Sequence, residues 1–117
     1  MRHRKKVKKL GLGKEHRESL VKQQLSALVT HEHIKTTEAR AKALAARMGR
    51  AMRLVKTQEK REAIRSLVDY VATKEVSSKM VDVLKTRYEN RTSGFTRIIR
   101  LGLRKGDCAR LVQIELV

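Results

Sequence analysis

Charge constrains this chain more than any other feature of its sequence. Lys and Arg number 29 against 12 Asp and Glu, which gives a formal net charge of +17 over 117 residues. A compact chain with that imbalance repels itself unless a polyanion neutralises it. The sequence pI of about 10.9 also lies above the value of about 9 that marks nucleic-acid-binding domains. We therefore favour a polyanionic partner over a merely soluble basic surface.

Length and composition allow one thin hydrophobic core. A chain of 117 residues has the size of one ordinary domain. Hydrophobic residues make up 40% of it and aromatics only 3%, so the core must be built from aliphatic side chains and Met. We expect such a core to gain stability from a partner. The single Cys108 suits a reducing cytosol, and no stretch resembles a membrane span or a secretory signal.

Residues 1–13 are interpreted as a basic N-terminal arm that precedes a single domain over residues 14–117. The arm has no acidic residue and too few apolar groups to offset the entropy lost on ordering. Gly11-Leu12-Gly13 provides a hinge at its end. We predict that the arm orders on RNA, and the alternative is a disordered solubilising tail. The basic residues assigned to RNA in the arm and at the first position of the domain are Arg2, Arg4, Lys5, Lys6, Lys8, Lys9 and Lys14.

Hydrophobic periodicity predicts an α+β domain with four helices, a short strand and a C-terminal antiparallel hairpin. The first helix covers about 15–30, the strand about 33–36, and the second helix about 38–56. The third helix starts at Thr57, and the fourth is capped by Thr73. The hairpin strands cover 95–103 and 110–117. The side chains predicted to face inward from the last two helices and the last strand are Ile64, Leu67, Val68 and Val71, then Val76, Met80, Val83 and Leu84, then Val112, Ile114 and Leu116.

The helix over about 38–56 is the most informative segment. Its apolar residues occupy an arc of about 120° on a helical wheel: Ala41, Leu44, Ala45, Met48, Ala51, Met52 and Val55. The remaining arc carries Arg40, Lys42, Arg47, Arg50, Arg53 and Lys56, without an acidic residue until Glu59. An ordinary solvated face mixes acidic and basic residues for pairing. This pattern favours a phosphate-facing surface, whereas the mixed charges of the next two helices are typical of a scaffold or a protein-facing side.

A third cationic region lies in the C-terminal part of the chain, where Arg side chains suit phosphate oxygens. The aromatics Tyr70, Tyr88 and Phe95 are too few and too scattered for a platform that stacks single-stranded bases. We therefore expect recognition of folded RNA by its shape and backbone. The C-terminal residues assigned to RNA are Arg91, Arg97, Arg100, Arg104 and Lys105.

The residue types that carry catalysis or hold metals do not form a convincing set. His31 and His33 with one distant Cys108 are a weak zinc signal, because paired Cys or a His at helical spacing is missing. Cys108 follows the predicted hairpin turn, where a small packing residue is the commoner role. Gly11-Leu12-Gly13 lacks the third glycine and the preceding strand of a phosphate loop. We assign no catalytic residue, cofactor, metal or small-molecule substrate.

Several segments, in order along nearly the whole chain, resemble the bacterial large-subunit ribosomal protein seventeen family. The N-terminal ones are Arg2-His3, Lys9-Leu10-Gly11, His16-Arg17 and Ile34-Lys35-Thr36-Thr37-Glu38-Ala39-Arg40-Ala41-Lys42-Ala43-Leu44. The C-terminal ones are Tyr88 to Ile98, Arg104-Lys105-Gly106-Asp107 and Ile114-Glu115-Leu116-Val117. Phe95 stands where the family has Tyr, so a hydroxyl contact there is not carried over. Residues 58–80 match only in general character.

The resemblance implies a non-catalytic protein that binds large-subunit ribosomal RNA in the cytoplasm, within the ribosome. It also implies neighbouring large-subunit ribosomal proteins near the peptide exit region, and no transit peptide, since similarity begins at Arg2. Through the matching segments it adds to the RNA-binding set His3, His16, Arg17, Lys35, Thr36 and Thr37. Two alternatives remain, a basic DNA-binding protein of nucleoid type and a small RNA-modifying enzyme. The first would need base-reading polar residues on a recognition helix, and the second a catalytic or cofactor set.

Overall fold

The computed structural model describes His3, Lys6 and residues 8–117, so the predictions for Arg2, Arg4 and Lys5 lie outside the described residues. Within that part the chain has four helices and three strands, the α+β fold that the sequence predicted. Helix α4 consists of three consecutive helical segments without a break between them, and the middle segment is a π-helical turn. In chain order the elements are α1 Lys14–His31, β1 His33–Thr37, α2 Glu38–Thr57, α3 Lys60–Leu67, α4 (Lys74–Lys79, Met80–Leu84 and Lys85–Arg87), β2 Thr96–Leu103 and β3 Arg110–Leu116.

A short segment that includes β1 connects the end of α1 to the start of α2. Glu32 has a left-handed backbone with φ of 66°, and its N–H donates to the Leu28 carbonyl at 2.7 Å, which closes α1. β1 then leads directly into α2, whose N-cap is Thr37 in an extended conformation. Glu38 lies in the first turn, where a carboxylate stabilises the positive end of the helix dipole. The predicted start of α2 is therefore confirmed.

The sheet is antiparallel, with β3 between β1 and β2. Ile114 pairs with Ile34 on one side and with Ile98 on the other. Val112, Ile114 and Leu116 are buried as predicted, because α2 packs across this face of the sheet. β2 is an edge strand that remains exposed along most of its length.

Helix α2 supplies the centre of the core. Ala41, Leu44, Met48, Ala51, Met52 and Val55 have no exposed surface, and Ala45 is partly buried. Leu25, Leu28 and Val29 of α1 pack into the same core. The apolar arc predicted for the second helix is thus confirmed. No helix within the described residues is both long and apolar enough to cross a bilayer.

Three predictions for α3 and α4 were wrong. The third helix begins at Lys60, because α2 continues through Thr57. Val68 is 61% exposed, whereas Val71 is buried, so after α3 ends at Leu67 the chain returns to the core at Val71 and not at Val68. Val83 is 50% exposed and Val81 is buried instead. The π-helical turn Met80–Leu84 holds more residues per turn than an α-helix, so the inward face moves away from the 3.6-residue pattern that predicted Val83.

Candidate nucleic-acid interface

The first element of the candidate interface is a groove between α1 and α2, which we call the α1–α2 groove. It has a volume of about 360 Å³. Lys6 and Lys8 of the N-terminal segment reach it, although they are distant in sequence from α2. Glu18 is its one carboxylate among the described residues. The basic residues that line it are Lys6, Lys8, Arg17, Lys42, Arg47 and Arg50.

A second groove of about 600 Å³ lies between α2 and the loop that precedes β2, and we call it the α2–loop groove. Its floor is small and apolar, with Ala45, Ala46, Gly49 and the buried Phe95. No carboxylate lines it among the residues that the structure describes. Its polar margin consists of three cations and four hydroxyls: Arg50, Arg53, Lys56, Thr57, Thr92, Ser93 and Thr96.

The two grooves meet on the outer surface of α2. Ala46 and Arg50 line both of them, so one continuous basic track crosses the helix. The apolar arc of α2 is directed into the core, which leaves the cationic arc outward, as helical periodicity requires. The structure therefore brings together basic residues from the N-terminal segment, α1 and α2 that the sequence could only assign separately.

Four cations of this track already contact the protein, namely Arg17, Lys42, Arg47 and Lys56. Two of them, Arg47 and Lys56, contact segments that are distant in sequence. Arg47 donates from Nη2 to the Asp69 carbonyl at 2.7 Å, and its guanidinium carbon lies 4.2 Å from the centre of the Tyr70 ring. Lys56 donates to the Arg91 carbonyl and lies 5.9 Å from the Phe95 ring centre. These contacts join α2 to the α3–α4 connection and to the loop before β2.

Arg50 and Arg53 differ from these two residues. Both are exposed, and within the described residues neither side chain has an ion pair or a hydrogen bond to the protein. A guanidinium without such contacts has all five of its N–H donors available to bind an acceptor outside the protein. Arg50 and Arg53 are consequently the strongest candidates on α2 for contact with an anion.

Two of the predicted cations of the hairpin are paired with carboxylates. Arg97 lies 3.4 Å from Glu115, and Arg104 lies 2.6 Å from Asp107. The Arg104 guanidinium and the Ala109 N–H, which both donate to Asp107, lower the pKa of that carboxyl to about 2. The turn is therefore held in shape by an ion pair. Arg100 on β2 and Lys105 in the turn are both exposed.

The start of α2 contains a second group of paired charges. Lys42 lies 2.9 Å from Glu38 and Arg110 lies 3.5 Å from the same carboxylate. Lys42 donates to Glu38, and with Arg110 it holds the pKa of Glu38 below its usual value. Thr36 accepts a hydrogen bond from Gln24 at 3.3 Å. This corner thus uses part of the predicted RNA-binding set in contacts within the protein.

The remaining predicted residues are spread around the molecule. Lys35 lies on the face of the sheet opposite α2, as its pairing with Gln113 shows, and Thr37 serves as the N-cap of α2. Arg91 donates to the Gly94 carbonyl at 3.2 Å. His3, Lys9, Lys14, His16 and Arg40 are exposed. The structure gathers part of the predicted set at the two grooves and leaves these residues apart from them.

Sequence reasoning did not assign Gly49, Lys56 or the hydroxyls of the α2–loop groove to the site. Lys56 was in the cationic arc but not among the assigned residues, and the periodicity of α2 could have included it. The hydroxyls of Thr92 and Ser93 gave no signal, because they belong to a loop whose position depends on the docking of β2 and β3. Residues that meet only after folding have no fixed spacing in sequence.

Fold and surface together define a class, the small basic α+β proteins that present a cationic helix face suited to a polyanion. The family model described as Ribosomal protein L17 matches residues 20–117. The chain belongs to the ribosomal protein L17 family, which confirms the resemblance seen in its sequence.

Individual relatives support this membership. The large ribosomal subunit protein bL17 of Geobacter sulfurreducens is 39% identical over 117 residues, covering 100% of this chain and 66% of the relative. Relatives of the same name from Syntrophotalea carbinolica and Wolbachia pipientis are also 39% identical, and the chain covers 75% and 83% of their lengths. The chain thus spans just under two thirds of the Geobacter relative.

Proposed function

We propose that this chain is a structural constituent of the large ribosomal subunit and binds folded large-subunit ribosomal RNA. The observation that carries the proposal is the continuous basic track formed by the α1–α2 groove and the α2–loop groove, which meet at Arg50. Guanidinium groups bind phosphate oxygens with two parallel hydrogen bonds. The name that the relatives share, large ribosomal subunit protein bL17, points to the same partner.

The N-terminal arm contributes to this binding in the proposal. Lys6 and Lys8 line the α1–α2 groove, so an RNA backbone that follows the groove would meet the arm and α2 together. Contacts of this kind fix position and affinity without reading base sequence. The scarcity of aromatic residues agrees with recognition of RNA shape.

Neighbouring large-subunit proteins, near the peptide exit region, are part of the same proposal. Along β2, Ile99, Leu101 and Leu103 are 39%, 47% and 65% exposed. Contiguous exposed apolar residues on an edge strand favour contact with another chain. The family's place in the large subunit makes an adjoining ribosomal protein the expected occupant.

A salt series on a large-subunit rRNA fragment tests the RNA contact. Affinity should fall steeply as salt rises, because neutralised phosphates release counterions. The double variant Arg50→Glu with Arg53→Glu should bind at least about tenfold more weakly, because it replaces two phosphate contacts by repulsion, and it should dissociate from large subunits washed in high salt.

The matched control also replaces two Arg residues by Glu, but on α3, with Arg61→Glu and Arg65→Glu. Both of these residues are exposed. The control changes net charge equally, so it should retain most of the affinity if the track binds RNA. If both double variants lose the same affinity, the loss comes from the change in net charge and not from contacts at the track. Equal wild-type affinity for duplex DNA at physiological salt would instead favour a nucleoid-type DNA-binding protein.

A further inference from the structure

Gly49 lies inside α2, where a glycine costs about 1 kcal/mol relative to alanine. Nothing in the described fold requires it. Its φ is not positive, and a Cβ built on its backbone would meet no atom within 4 Å. The protein therefore has room for a side chain at position 49, and the missing Cβ leaves open space outside the chain.

That open space belongs to the α2–loop groove, whose chemistry has three parts. Ala46 and Gly49 give an apolar floor, Arg50 and Arg53 give cations that have no partner among the described residues, and the loop before β2 adds hydroxyl groups. The absence of carboxylates from its described lining favours an anionic ligand. Its volume of about 600 Å³ falls in the range of about 300–1,000 Å³ typical of sites for small organic groups.

We propose that the α2–loop groove receives one unpaired nucleotide of the ribosomal RNA. The phosphate of that nucleotide lies against Arg50 and Arg53, and its base lies over Ala46 and Gly49. This inference rests on the proposed function, because it specifies which RNA element enters the track. A base and its phosphate together match an apolar floor bordered by cations and hydroxyls.

The size of the groove favours an unpaired nucleotide over an RNA duplex as its ligand. An A-form duplex presents a wide, shallow minor groove and a rail of phosphates, which proteins contact across a broad surface. The α2–loop groove, with a volume of about 600 Å³, is a local recess between one helix and one loop, so it matches a single nucleotide better than a broad duplex face. Unpaired nucleotides in loops and bulges can instead be splayed out and enter a protein pocket.

Filling the groove without changing its charge tests the proposal. Gly49→Leu places a side chain on the floor, and because Leu is a better helix former than Gly, the melting temperature of the free protein should stay equal or rise. Affinity for the rRNA fragment should fall at least about tenfold, which corresponds to about 1.4 kcal/mol of binding free energy, because the Leu side chain occupies the space of the base. The control is Ala39→Leu, at an exposed position of α2 outside the groove, which should bind like wild type.

Chemical probing of the bases in the same complexes identifies the ligand. With wild-type protein, one unpaired base of the fragment should become protected, and it should react again in the Gly49→Leu complex formed at saturating protein. Tight binding by Gly49→Leu with an unchanged pattern of base protection would overturn the proposal, as would a wild-type complex in which no unpaired base is protected. Either result would leave salt-dependent rRNA binding intact, whereas failure of the proposed function would abolish binding by wild type and Ala39→Leu as well.

Discussion

The guanidinium of Arg47 stacks on the ring of Tyr70, with 4.2 Å between its central carbon and the ring centre. The same side chain donates to the Asp69 carbonyl, so it connects α2 with the segment that follows α3. Arg50, one helical turn further along, has no such contact within the described residues. Two Arg residues on one cationic face therefore differ in their contacts with the protein.

This difference predicts different effects of truncation. Arg47→Ala should lower the free energy of unfolding by about 1–2 kcal/mol, because it removes a cation–π contact and a charged hydrogen bond. Arg50→Ala should change it by no more than about 0.5 kcal/mol, as is usual for a surface residue. Urea denaturation of both variants measures the two values. Equal effects would contradict the separation of roles.

The π-helical turn of α4 predicts which of two nearby valines supports the core. Val81→Ser should destabilise the protein by about 1–3 kcal/mol, because a buried side chain loses volume and gains a hydroxyl. Val83→Ser should cost less than about 0.5 kcal/mol, since Val83 is half exposed. Thermal or urea unfolding compares the pair. A larger effect at Val83 would indicate that Val83 faces the core, as a regular α-helix without the π-helical turn would place it.

The Arg104–Asp107 pair predicts an acidic titration. The folded pKa of Asp107 is about 2, below its ordinary value of 3.8, so the stabilisation from this carboxylate is complete above about pH 4. It disappears as pH falls through about 2, when the carboxylate is protonated. A carboxyl-detected NMR titration should give a midpoint near 2, and Arg104→Gln should raise it. A wild-type midpoint near 4 would mean that the pair does not form in solution.

The N-terminal arm predicts a change in binding without a change in folding. Deleting residues 2–9 removes six basic residues and keeps the Leu12 carbonyl that Arg17 contacts. The melting temperature of the free protein should barely change. The slope of the logarithm of the rRNA association constant against the logarithm of the salt concentration should become less steep. The expected change is about 0.7–0.9 for each phosphate that the arm neutralises in the full-length protein.

Matched titrations of full-length and truncated protein on one rRNA fragment decide between the two interpretations of the arm. An unchanged slope and affinity would identify residues 2–9 as a solubilising tail. A large fall in melting temperature would instead show that the segment belongs to the folded core.

Local pattern was enough to predict most of the elements. The segregation of apolar and basic residues along α2 follows helical periodicity, and Leu44, Met48 and Val55 are buried where it placed them. Strand alternation likewise predicted the inward face of β3. These predictions succeeded because residues within a few positions of each other determine which face of an element can be buried.

Contacts between distant segments decided the rest. The pairing of Ile34 with Ile114, the docking of Tyr70 on Arg47 and the loop beside Gly49 each join parts of the chain that share no local pattern. The sequence by itself determined that α2 has a basic outer face and an apolar inner one. Tertiary structure decided which of its cations contact the described part of the protein and which have no partner there, because that depends on the neighbours that packing brings within a few ångströms.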